Sequence, residues 1–421
     1  MNVNKDIFTK EDIKFMRLAI KLAQKGSGTV SPNPLVGAVI VKDGKIISTG
    51  YHKMAGTAHA EINAINAVKV IPPGSKMYVT LEPCSFYGKT PPCVDAIIKN
   101  KFSEVIISSL DPNPKVNGKG VEILRKAGIS VKFGLLEDET KYQNEIFFKH
   151  IKSKMPFICV KIASSIDGKL AISSGDSKWI TGLDSRKMVQ KLRFNYGAIL
   201  TGINTIIKDN PLLYPRKNIN MNLDLYNEDD IKKSIITKKI IIKKFNEEIN
   251  NQYIYSKFFR IILDSNLKID LNSNIVKTSK FFKTIIFISK EILNNNDIIS
   301  KINNLNKLNI DVIPVNSSSS FNLKNDQNNY LNLKEILDYL YNKYEITSIL
   351  VEAGQTLVTS LLKENLIDKF LIFLAPKIIG ESSYNMFNDL HINNMDECLK
   401  LKFNKIKKLQ DDLLLEAYMA N

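Results

Sequence analysis

The sequence predicts an α/β protein with two layered domains. Apolar strands alternate with amphipathic helices along most of the chain, as in sheets that are covered by helices. The chain has 421 residues, of which 44% are hydrophobic, so each half is long enough to form its own core. A charged helix leads to Lys154, Met155 and Pro156, where we place the boundary between domains 1–152 and 153–421.

The elements of the first half begin at recognisable signals. Thr9 and Asp12 are spaced as a capping box, and Asp43 followed by Gly44 is typical of a hairpin turn. Two prolines before Cys93 suit the first turn of a helix, and His150 stands near a helix end that favours a cation. The predicted helices cover 9–25, 59–69, a segment from Cys93, 121–128 and 137–152, and the predicted strands cover the hairpin 36–50, then 76–83, 104–110 and 129–134.

The second half repeats the alternation of strands and helices. Residues 217–257 are rich in Asn, Lys and Ile with little periodicity, and we interpret them as an exposed insertion. Residues 316–329 have the composition of a Ser/Asn loop. The predicted strands cover 157–168, 197–202, 260–264, 284–289, 310–315, 348–354, 370–376 and, as a last edge strand, 413–418, and the predicted helices cover 185–194, 333–344 and 356–366.

The net charge of +16 first suggests a nucleic-acid partner. Only six of the 59 basic residues are arginine, however, and arginine is the residue favoured for phosphate and base recognition. We interpret the excess lysine, concentrated in stretches such as 217–257 and 268–310, as drift toward A/T-rich codons. No apolar run reaches the length of a membrane helix, the N-terminus has no signal-peptide core, and the four cysteines are too few for a disulfide scaffold. We therefore expect a cytoplasmic protein that binds neither nucleic acid nor membrane.

The strongest chemical signal combines His59, Glu61, Cys84 and Cys93. Zinc deaminases carry an H-x-E motif followed by P-C-x-x-C. Three protein ligands leave the fourth position of a catalytic zinc for water, and Glu61 is close enough to His59 in sequence to move protons without binding the metal. The two cysteines are nine residues apart, however, which is longer than the general motif. The alternative is a pair of unliganded thiols and a histidine that caps a helix.

The segments HAE and TLEPCSFYGKTPPC closely resemble the deaminase half of the bifunctional riboflavin-biosynthesis deaminase/reductase family, in which the long cysteine spacing is normal. The resemblance extends to SPNPLVGAVIV, GYH and DPNPKVNGKG, which are similar to its substrate loops. It implies a cytidine-deaminase-like three-layer domain that hydrolyses the 2-amino group of 2,5-diamino-6-(5-phosphoribosylamino)pyrimidin-4-one. The substrate residues that it implies are Asn33, His52, Lys89, Asp111 and Asn113.

The second half contains no G-x-G-x-x-G motif after a strand, so a Rossmann fingerprint is absent. The stretches VKIASSIDGK, ILTGINTIIKDNPLLYPR and VEAGQTLVTSLL instead resemble the reductase half of the same family. This resemblance implies a dihydrofolate-reductase-like α/β domain that uses NADPH to reduce the ribosyl group to ribityl. The cofactor residues that it implies are Ala163, Trp179, Thr205, Asp209, Ser265, Gly354, Gln355, Thr356, Leu357, Val358, Thr359 and Ser360.

The same resemblance implies the substrate and proton-transfer residues of the reductase half. The implied substrate residues are Ser177, Arg193, Leu213, Arg216 and Glu352. Among them, the two arginines have the planar fork that suits a substrate phosphate. Lys161, Asp209 and Glu352 are the candidates for proton transfer, although a buried Lys–Glu pair is also compatible with a structural role.

Three classes of function remain open from the sequence. The leading hypothesis is a bifunctional zinc deaminase and NADPH reductase that binds a small phosphorylated pyrimidine and forms a homo-oligomer. The second is an RNA base deaminase with a C-terminal nucleic-acid-binding domain, which predicts a short C-x-x-C motif and steep salt dependence. The third is a scaffold stabilised by zinc, which needs a fourth protein ligand.

Overall fold

The structure is a computed structural model that describes residues 8–87, 91–176, 179–215, 258–318, 330–381 and 383–420. The chain divides into two compact units, Met1–Met155 and Pro156–Asn421. The predicted boundary after residue 152 falls inside a helix that ends at Ser153. The predicted insertion 217–257 lies outside the described residues, as does most of the predicted loop 316–329. Among the described residues, no helix combines the length and the apolar character needed to cross a membrane.

The first unit contains a five-stranded sheet with the order β2-β1-β3-β4-β5. Strands β1, β2 and β3 are antiparallel neighbours, whereas β3, β4 and β5 are parallel. The strands are β1 Gly37–Lys42, β2 Lys45–Tyr51, β3 Lys76–Leu81, β4 Glu104–Ser109 and β5 Ser130–Phe133. The described helices are α1 Lys10–Ala23, α2 Ala60–Asn66, α3 Cys93–Lys99, α4 Lys119–Lys126, α5 Glu137–Gln143 and α6 Glu145–Ser153.

Alternating side chains of β1 divide the core of this unit between two faces. Ala38 and Ile40 pack in one cluster with α2, α3 and α4, whereas Val39 and Val41 pack in the other with α1. This arrangement follows from the two-residue period of a strand and confirms the predicted three layers. The predicted capping box is also present, because Asp12 N donates to Thr9 Oγ1 at 3.1 Å and Thr9 N donates to Asp12 Oδ2 at 2.8 Å.

A close approach of α2 to β2 sets the position of the metal-binding segment. A Cβ atom on Gly50 would lie 2.3 Å from the carbonyl oxygen of Ala60, so only glycine allows this packing.

The helix predicted at 137–152 is divided into α5 and α6 at Asn144. Asn144 is buried, and its amide bonds the backbone of Leu35, a use of the side chain that the charge pattern did not reveal.

The second unit contains a nine-stranded sheet with the order β11-β10-β9-β8-β12-β6-β13-β16-β15. The neighbouring strands from β11 to β13 are parallel, and β16 and β15 add an antiparallel pair. A separate two-stranded sheet pairs β7 with β14. The strands are β6 Phe157–Ser165, β7 Lys169–Ala171, β8 Ala198–Gly202, β9 Phe259–Leu263, β10 Lys283–Ser289, β11 Ile310–Val315, β12 Ser348–Val351, β13 Lys369–Ala375, β14 Tyr384–Asn385, β15 Leu401–Leu409 and β16 Asp412–Met419. The described helices are α7 Leu183–Arg193, α8 Ile203–Asp209, α9 Asn274–Lys277, α10 Asn296–Lys307, α11 Leu333–Tyr344 and α12 Gln355–Lys363.

One prediction for this unit was wrong, and some elements were missed. The strand predicted at 413–418 is not at the edge, since β16 lies between β13 and β15. The true edge strand β15 was missed because it is lysine-rich and exposed along nearly its whole length, so it lacks the apolar alternation of a half-buried strand. The lysine-rich stretch 268–310 contains the predicted strand 284–289, which is observed as the buried strand β10, and also the helix α10, which was not predicted.

Candidate active site

Three potential metal ligands meet in the first unit. His59 is the residue that precedes α2, Cys93 is the first residue of α3, and Cys84 follows β3. The Nδ1 atom of His59 lies 3.3 Å from the sulfur of Cys93 and 3.6 Å from the sulfur of Cys84. The three ligand atoms all lie within 4.8 Å of one another. The sequence prediction of these three residues as one cluster therefore agrees with their placement.

This cluster fits zinc by distance and by charge. Tetrahedral zinc with bonds of about 2.3 Å to sulfur and about 2.0 Å to nitrogen separates such ligand atoms by about 3.6 Å. The hydrogen bond from Cys93, together with His59, lowers the pKa of Cys84 to about 4, so that one thiolate is available. In the part of the chain that the structure describes, the cluster has only three members, which leaves the fourth position that a catalytic zinc needs. A zinc scaffold with four protein ligands does not fit these residues.

Glu61 lies beside the cluster in the first turn of α2. Its side chain is buried, with 3% of its surface exposed, and it interacts with Cys93. Burial raises the pKa of Glu61 to about 7, although His59 opposes the shift. A buried carboxylate next to a metal cluster and outside the set of ligands has the placement expected of a group that transfers protons.

His52 and Asn33 form a fixed pair next to His59. The ring nitrogen Nδ1 of His52 lies 3.1 Å from the carbonyl oxygen of Ala58, which requires Nδ1 to carry the proton. The other nitrogen, Nε2, then accepts from Asn33 Nδ2 at 3.1 Å. Burial lowers the pKa of His52, which favours this neutral form. The rings of His52 and His59 meet edge to face with centroids 5.4 Å apart, so the predicted substrate residues Asn33 and His52 do lie close to the metal cluster.

The second predicted substrate segment follows β4. Asp111 Oδ1 accepts from the backbone N–H of Asn113 at 2.8 Å, and Asn113 Oδ1 accepts from Lys115 N at 3.0 Å. Burial raises the pKa of Asp111 to about 6. The segment is joined to the residue before Pro83, because Glu82 accepts a hydrogen bond from Asp111 N. The predicted substrate residue Lys89 lies outside the described residues.

Sequence reasoning missed two residues that hold the segment around Asn33. The Asn144 amide accepts from Leu35 N at 2.7 Å and donates to Leu35 O at 3.0 Å. His150 Nε2 donates to the carbonyl oxygen of Pro32 at 3.1 Å. His150 does lie in the last turn of α6, as predicted, but burial lowers its pKa, which favours the neutral ring over a helix-end cation. Neither residue belongs to a motif. They lie 109 and 118 residues along the chain from their partners, so no local pattern in the sequence indicates these contacts.

The second unit contains a cleft of about 1270 Å³ at the carboxyl ends of its central parallel strands, where open α/β sheets bind ligands. Most of the predicted reductase residues line it, and they come from β6 and from the segments that follow β7, β8, β9 and β12. The predicted residues in its lining are Lys161, Ala163, Trp179, Arg193, Thr205, Asp209, Leu213, Ser265, Glu352, Gly354, Gln355, Thr356, Leu357 and Ser360. Ser177 and Arg216 lie outside the described residues.

Two predicted cofactor residues in the helix that borders the cleft, Val358 and Thr359, do not line it. Val358 and Thr359 are both buried, and Thr359 Oγ1 accepts from the backbone N–H of Asn388 at 2.8 Å. The prediction included every residue from Gly354 to Ser360, but an α-helix turns only some of its consecutive residues toward one face, so some of them face the core and not the cleft.

A buried ion cluster forms one wall of the cleft. Glu352 accepts two parallel hydrogen bonds from Arg193, at 2.6 Å and 3.0 Å, and the Lys161 ammonium lies 3.6 Å from it. Although burial opposes the shift, Arg193 and Lys161 lower the pKa of Glu352 to about 2. Arg193 was predicted to bind a substrate phosphate, but its fork is directed to Glu352 and its remaining nitrogen donates to Tyr214 O.

Trp179 lies at the rim of this cleft. The guanidinium of Arg186 is stacked 3.7 Å from the centre of its indole ring, and its carbonyl oxygen accepts from the Lys377 ammonium. Its φ of 68° is unusual for a bulky residue. The ring is 42% exposed, so it does not fill the core.

Arg260 is a further residue that sequence reasoning did not select. It is fully buried, and it donates to the carbonyl oxygens of Leu212, Ile275 and Phe282 and to the hydroxyls of Thr278 and Thr284. Leu212 precedes the predicted substrate residue Leu213, whose φ is 45°. Arg260 thereby fixes the backbone of the segment that carries Leu213.

These two sites define a zinc-binding pyrimidine deaminase unit joined to a reductase unit. Residues 9–109 match the family described as the cytidine and deoxycytidylate deaminase zinc-binding region, and residues 156–415 match the RibD C-terminal domain. The chain is 39% identical to riboflavin biosynthesis protein RibD of Aquifex aeolicus, with 96% of this chain and 97% of the relative covered. The chain belongs to the RibD family of bifunctional deaminase/reductases of riboflavin biosynthesis.

Other relatives and solved structures agree over nearly the whole length. RibD of Escherichia coli K12 is 33% identical, with 96% of this chain and 98% of the relative covered. A structure of Acinetobacter baumannii RibD matches with a TM-score of 0.78 and 33% identity, covering 98% of this chain and 99% of that chain. The family is a zinc-dependent deaminase combined with an NADPH-dependent reductase, which accounts for both cofactors. The alternative of an RNA base deaminase is excluded for the C-terminal half, because that half matches a reductase family.

Proposed function

We propose that the first unit hydrolyses the 2-amino group of 2,5-diamino-6-(5-phosphoribosylamino)pyrimidin-4-one. The observation that carries this assignment is the three-ligand cluster of His59, Cys84 and Cys93 with the buried Glu61 beside it. Zinc, when bound by these ligands, supplies Lewis acidity and an acidified water. Glu61 accepts one proton of the attacking water and delivers it to the ring nitrogen. It then takes the second proton from the hydroxyl group added to C2 and gives it to the amino group, so that the C–N bond breaks, ammonia leaves and a C2 carbonyl forms.

The pair of Asn33 and His52 binds one edge of the pyrimidine. Because His52 accepts a hydrogen bond from the Asn33 amide nitrogen, the amide oxygen of Asn33 is the acceptor for a pyrimidine N–H. Asp111 and Asn113 contact the substrate from the segment after β4, and Lys89 attracts its phosphate. These roles rest on the family resemblance, on the contact of His52 with His59, and on the hydrogen bond from Asp111 to Glu82, two residues before Cys84.

The second unit transfers hydride from NADPH to C1 of the ribosyl group in the cleft. The C1–O4 bond of the ribose ring breaks, and O4 takes a proton, which leaves a ribityl chain and NADP⁺. We assign the phosphate contacts of the cofactor to the first turn of α12, from Gly354 to Leu357, because the N-terminus of a helix presents free N–H donors. Trp179 contacts the nicotinamide end from the rim of the cleft.

The ion cluster narrows the choice of proton donor for this reduction. Glu352 is held in its ionised form by Arg193 and Lys161, so it has no proton to give at neutral pH. We therefore assign Glu352 to holding the two cations in place. Lys161, which lines the cleft and lies 3.6 Å from Glu352, donates the proton, and Asp209 is the second candidate.

We propose further that the protein acts in the cytoplasm as a homo-oligomer. The edge strand β15 supports self-association, because Phe403 and Ile406 are 55% and 62% exposed on it and an edge strand has unpaired backbone groups. The two sites take the small phosphorylated pyrimidine, NADPH and zinc.

The test of the proposed function is an assay of the two half-reactions with one preparation of protein. Incubation with the diaminopyrimidine phosphoriboside alone should release ammonia, and NADPH should be consumed only after deamination. Retained zinc without ammonia release would contradict the deaminase assignment. Oxidation of NADPH by the substrate before deamination would contradict the proposed order.

A further inference from the structure

Glu82 is a buried carboxylate between the end of β3 and the metal ligand Cys84. Only 3% of it is exposed. Its Oε2 atom accepts from the backbone N–H groups of Asp111 at 3.3 Å and Gly118 at 2.9 Å. Its Oε1 atom accepts from Gly120 at 2.9 Å and Val121 at 3.4 Å. One side chain therefore satisfies four backbone donors that lie 29 to 39 residues away along the chain.

These donors include the N-terminal N–H groups of α4. The residue at the cap position of α4 is Gly118, which has no side chain to accept from them. A carboxylate near this end of a helix is favourable because the free N–H groups carry partial positive charge. The contact is also tight, since a Cβ atom on Gly120 would lie 2.4 Å from the carbonyl oxygen of Pro83.

The same hydrogen bonds reach the proposed substrate residues. Glu82 binds the backbone of Asp111, Asp111 Oδ1 binds Asn113 N, and the Asn113 carbonyl oxygen accepts from Val116 N at 2.8 Å. The segment 111–121 is thus attached at both ends to the residue that lies two positions before Cys84. We infer that Glu82 is a positioning residue of the deaminase, which fixes Asp111 and Asn113 relative to the metal cluster.

This inference rests on the proposed function of the first unit, and it assigns Glu82 no contact with metal or substrate. Glu82 is not a member of the metal-ligating cluster. A glutamine in its place would keep one accepting oxygen, but its NH₂ group would face two N–H donors. The consequence should be a displaced substrate segment with an intact metal site.

The experiment is Glu82→Gln in the full-length zinc-loaded protein. We expect zinc content to be unchanged, KM for the diaminopyrimidine phosphoriboside to rise about tenfold, and kcat to change by less than about threefold, the pattern for loss of uniform substrate binding. Amide hydrogen exchange at Gly118, Gly120 and Val121 should become faster. Glu122→Gln is the matched control, because Glu122 is exposed on the same helix and should change none of these values.

Gly120→Ala tests the same contact between Glu82 and α4 by a change in the helix, and it should also raise KM for the diaminopyrimidine phosphoriboside with zinc retained. An unchanged KM in both variants, or a kcat that falls together with zinc content, would overturn the positioning role. Reduction of supplied deaminated intermediate should stay at the wild-type rate, which shows that the reductase unit is folded, and retained zinc shows the same for the deaminase unit. If the wild-type protein releases no ammonia, the proposed function fails, whereas unchanged amide exchange in Glu82→Gln would count against the role of Glu82 alone.

Discussion

The two units differ in what defines their sites. In the deaminase unit, three ligand atoms of His59, Cys84 and Cys93 lie within 4.8 Å of one another. The chemistry of this site depends on the identity of each ligand, one nitrogen and two sulfurs. In the reductase unit, a cleft of about 1270 Å³ is shaped by backbone turns and by one buried ion cluster. A site defined by a few atoms should fail completely when one is changed, whereas a cleft should weaken by degrees.

The largest expected effect is that of Cys93→Ser. Removal of a metal ligand should abolish zinc binding and lower the rate of deamination by more than about 100-fold. Losing a residue that only supports a metal ligand already costs up to about 100-fold, so losing the ligand itself should cost more. Zinc content and ammonia release would be measured together, and reduction of supplied intermediate should persist. Cys398→Ser is the control, because Cys398 has no part in either site. Deamination by Cys93→Ser at the wild-type rate would show that the deaminase site does not depend on each of its three ligand atoms.

Glu352→Gln tests whether one side chain also controls the cleft. Breaking a buried ion cluster should cost about 3–5 kcal/mol of unfolding free energy, because Arg193 and Lys161 lose their counter-charge. Urea unfolding followed by the fluorescence of the single tryptophan, Trp179, reports on this unit alone. The exposed Glu381→Gln should change nothing. A loss below about 1 kcal/mol would indicate that backbone shape alone maintains the cleft.

The pH dependence of stability gives a second measure of this cluster. The pKa of Glu352 falls from its ordinary value of 4.5 to about 2 in the folded protein. A carboxyl with a lowered pKa contributes stability above pH 4.5, and that contribution is lost as the pH falls toward 2. Between these two pH values the wild-type reductase unit should therefore lose more stability than Glu352→Gln does. Parallel acid titrations of the two proteins would contradict the assigned pairing.

Arg260→Met should have a smaller effect on stability, of about 2 kcal/mol, because the buried carbonyl oxygens of Leu212, Ile275 and Phe282 lose their donors. The segment that carries Leu213 should loosen, and KM of the reductase for its substrate should increase. The control is Arg17→Met, at a side chain that is 63% exposed. Wild-type stability together with a wild-type KM would remove Arg260 from the account of the cleft.

The smallest expected effect is that of Trp179→Ala, with an increase of about five- to tenfold in KM for NADPH and little change in kcat. The ring is partly exposed at the rim, so its loss should remove about 1 kcal/mol of stacking from the bound cofactor. Trp179→Phe keeps an aromatic ring and should restore most of the affinity. Equal KM values in the wild type and the alanine variant would exclude contact between Trp179 and the cofactor.

The sequence revealed the metal site more fully than the residues that support it. His59, Glu61, Cys84 and Cys93 were found because metal chemistry restricts the residue types and their spacing. Glu82, Asn144, His150 and Arg260 were missed because each acts on the backbone of a distant segment, and neither residue type nor periodicity reports such a contact. Arg193 shows a related limit, since its scarcity indicated a function but its partner in the fold is Glu352.

The fold was predictable where burial imposed a period. The helix 333–344 and the strand 310–315 have the predicted bounds. Strand β15 escaped prediction because it is exposed on both faces, and the break between α5 and α6 depends on the contact of Asn144 with Leu35. Local pattern therefore identified the central strands, whereas the edges of the sheet and the supports of the sites depend on tertiary structure.

The most direct test of the central claim, that one chain contains two separate chemistries, is Glu61→Gln assayed for both reactions. Loss of the proton-transfer group should lower ammonia release by about 10²- to 10⁴-fold. Zinc should remain at the wild-type content, and reduction of supplied deaminated intermediate by NADPH should proceed at the wild-type rate. Deamination at the wild-type rate by this variant, or loss of both reactions with zinc retained, would contradict the account.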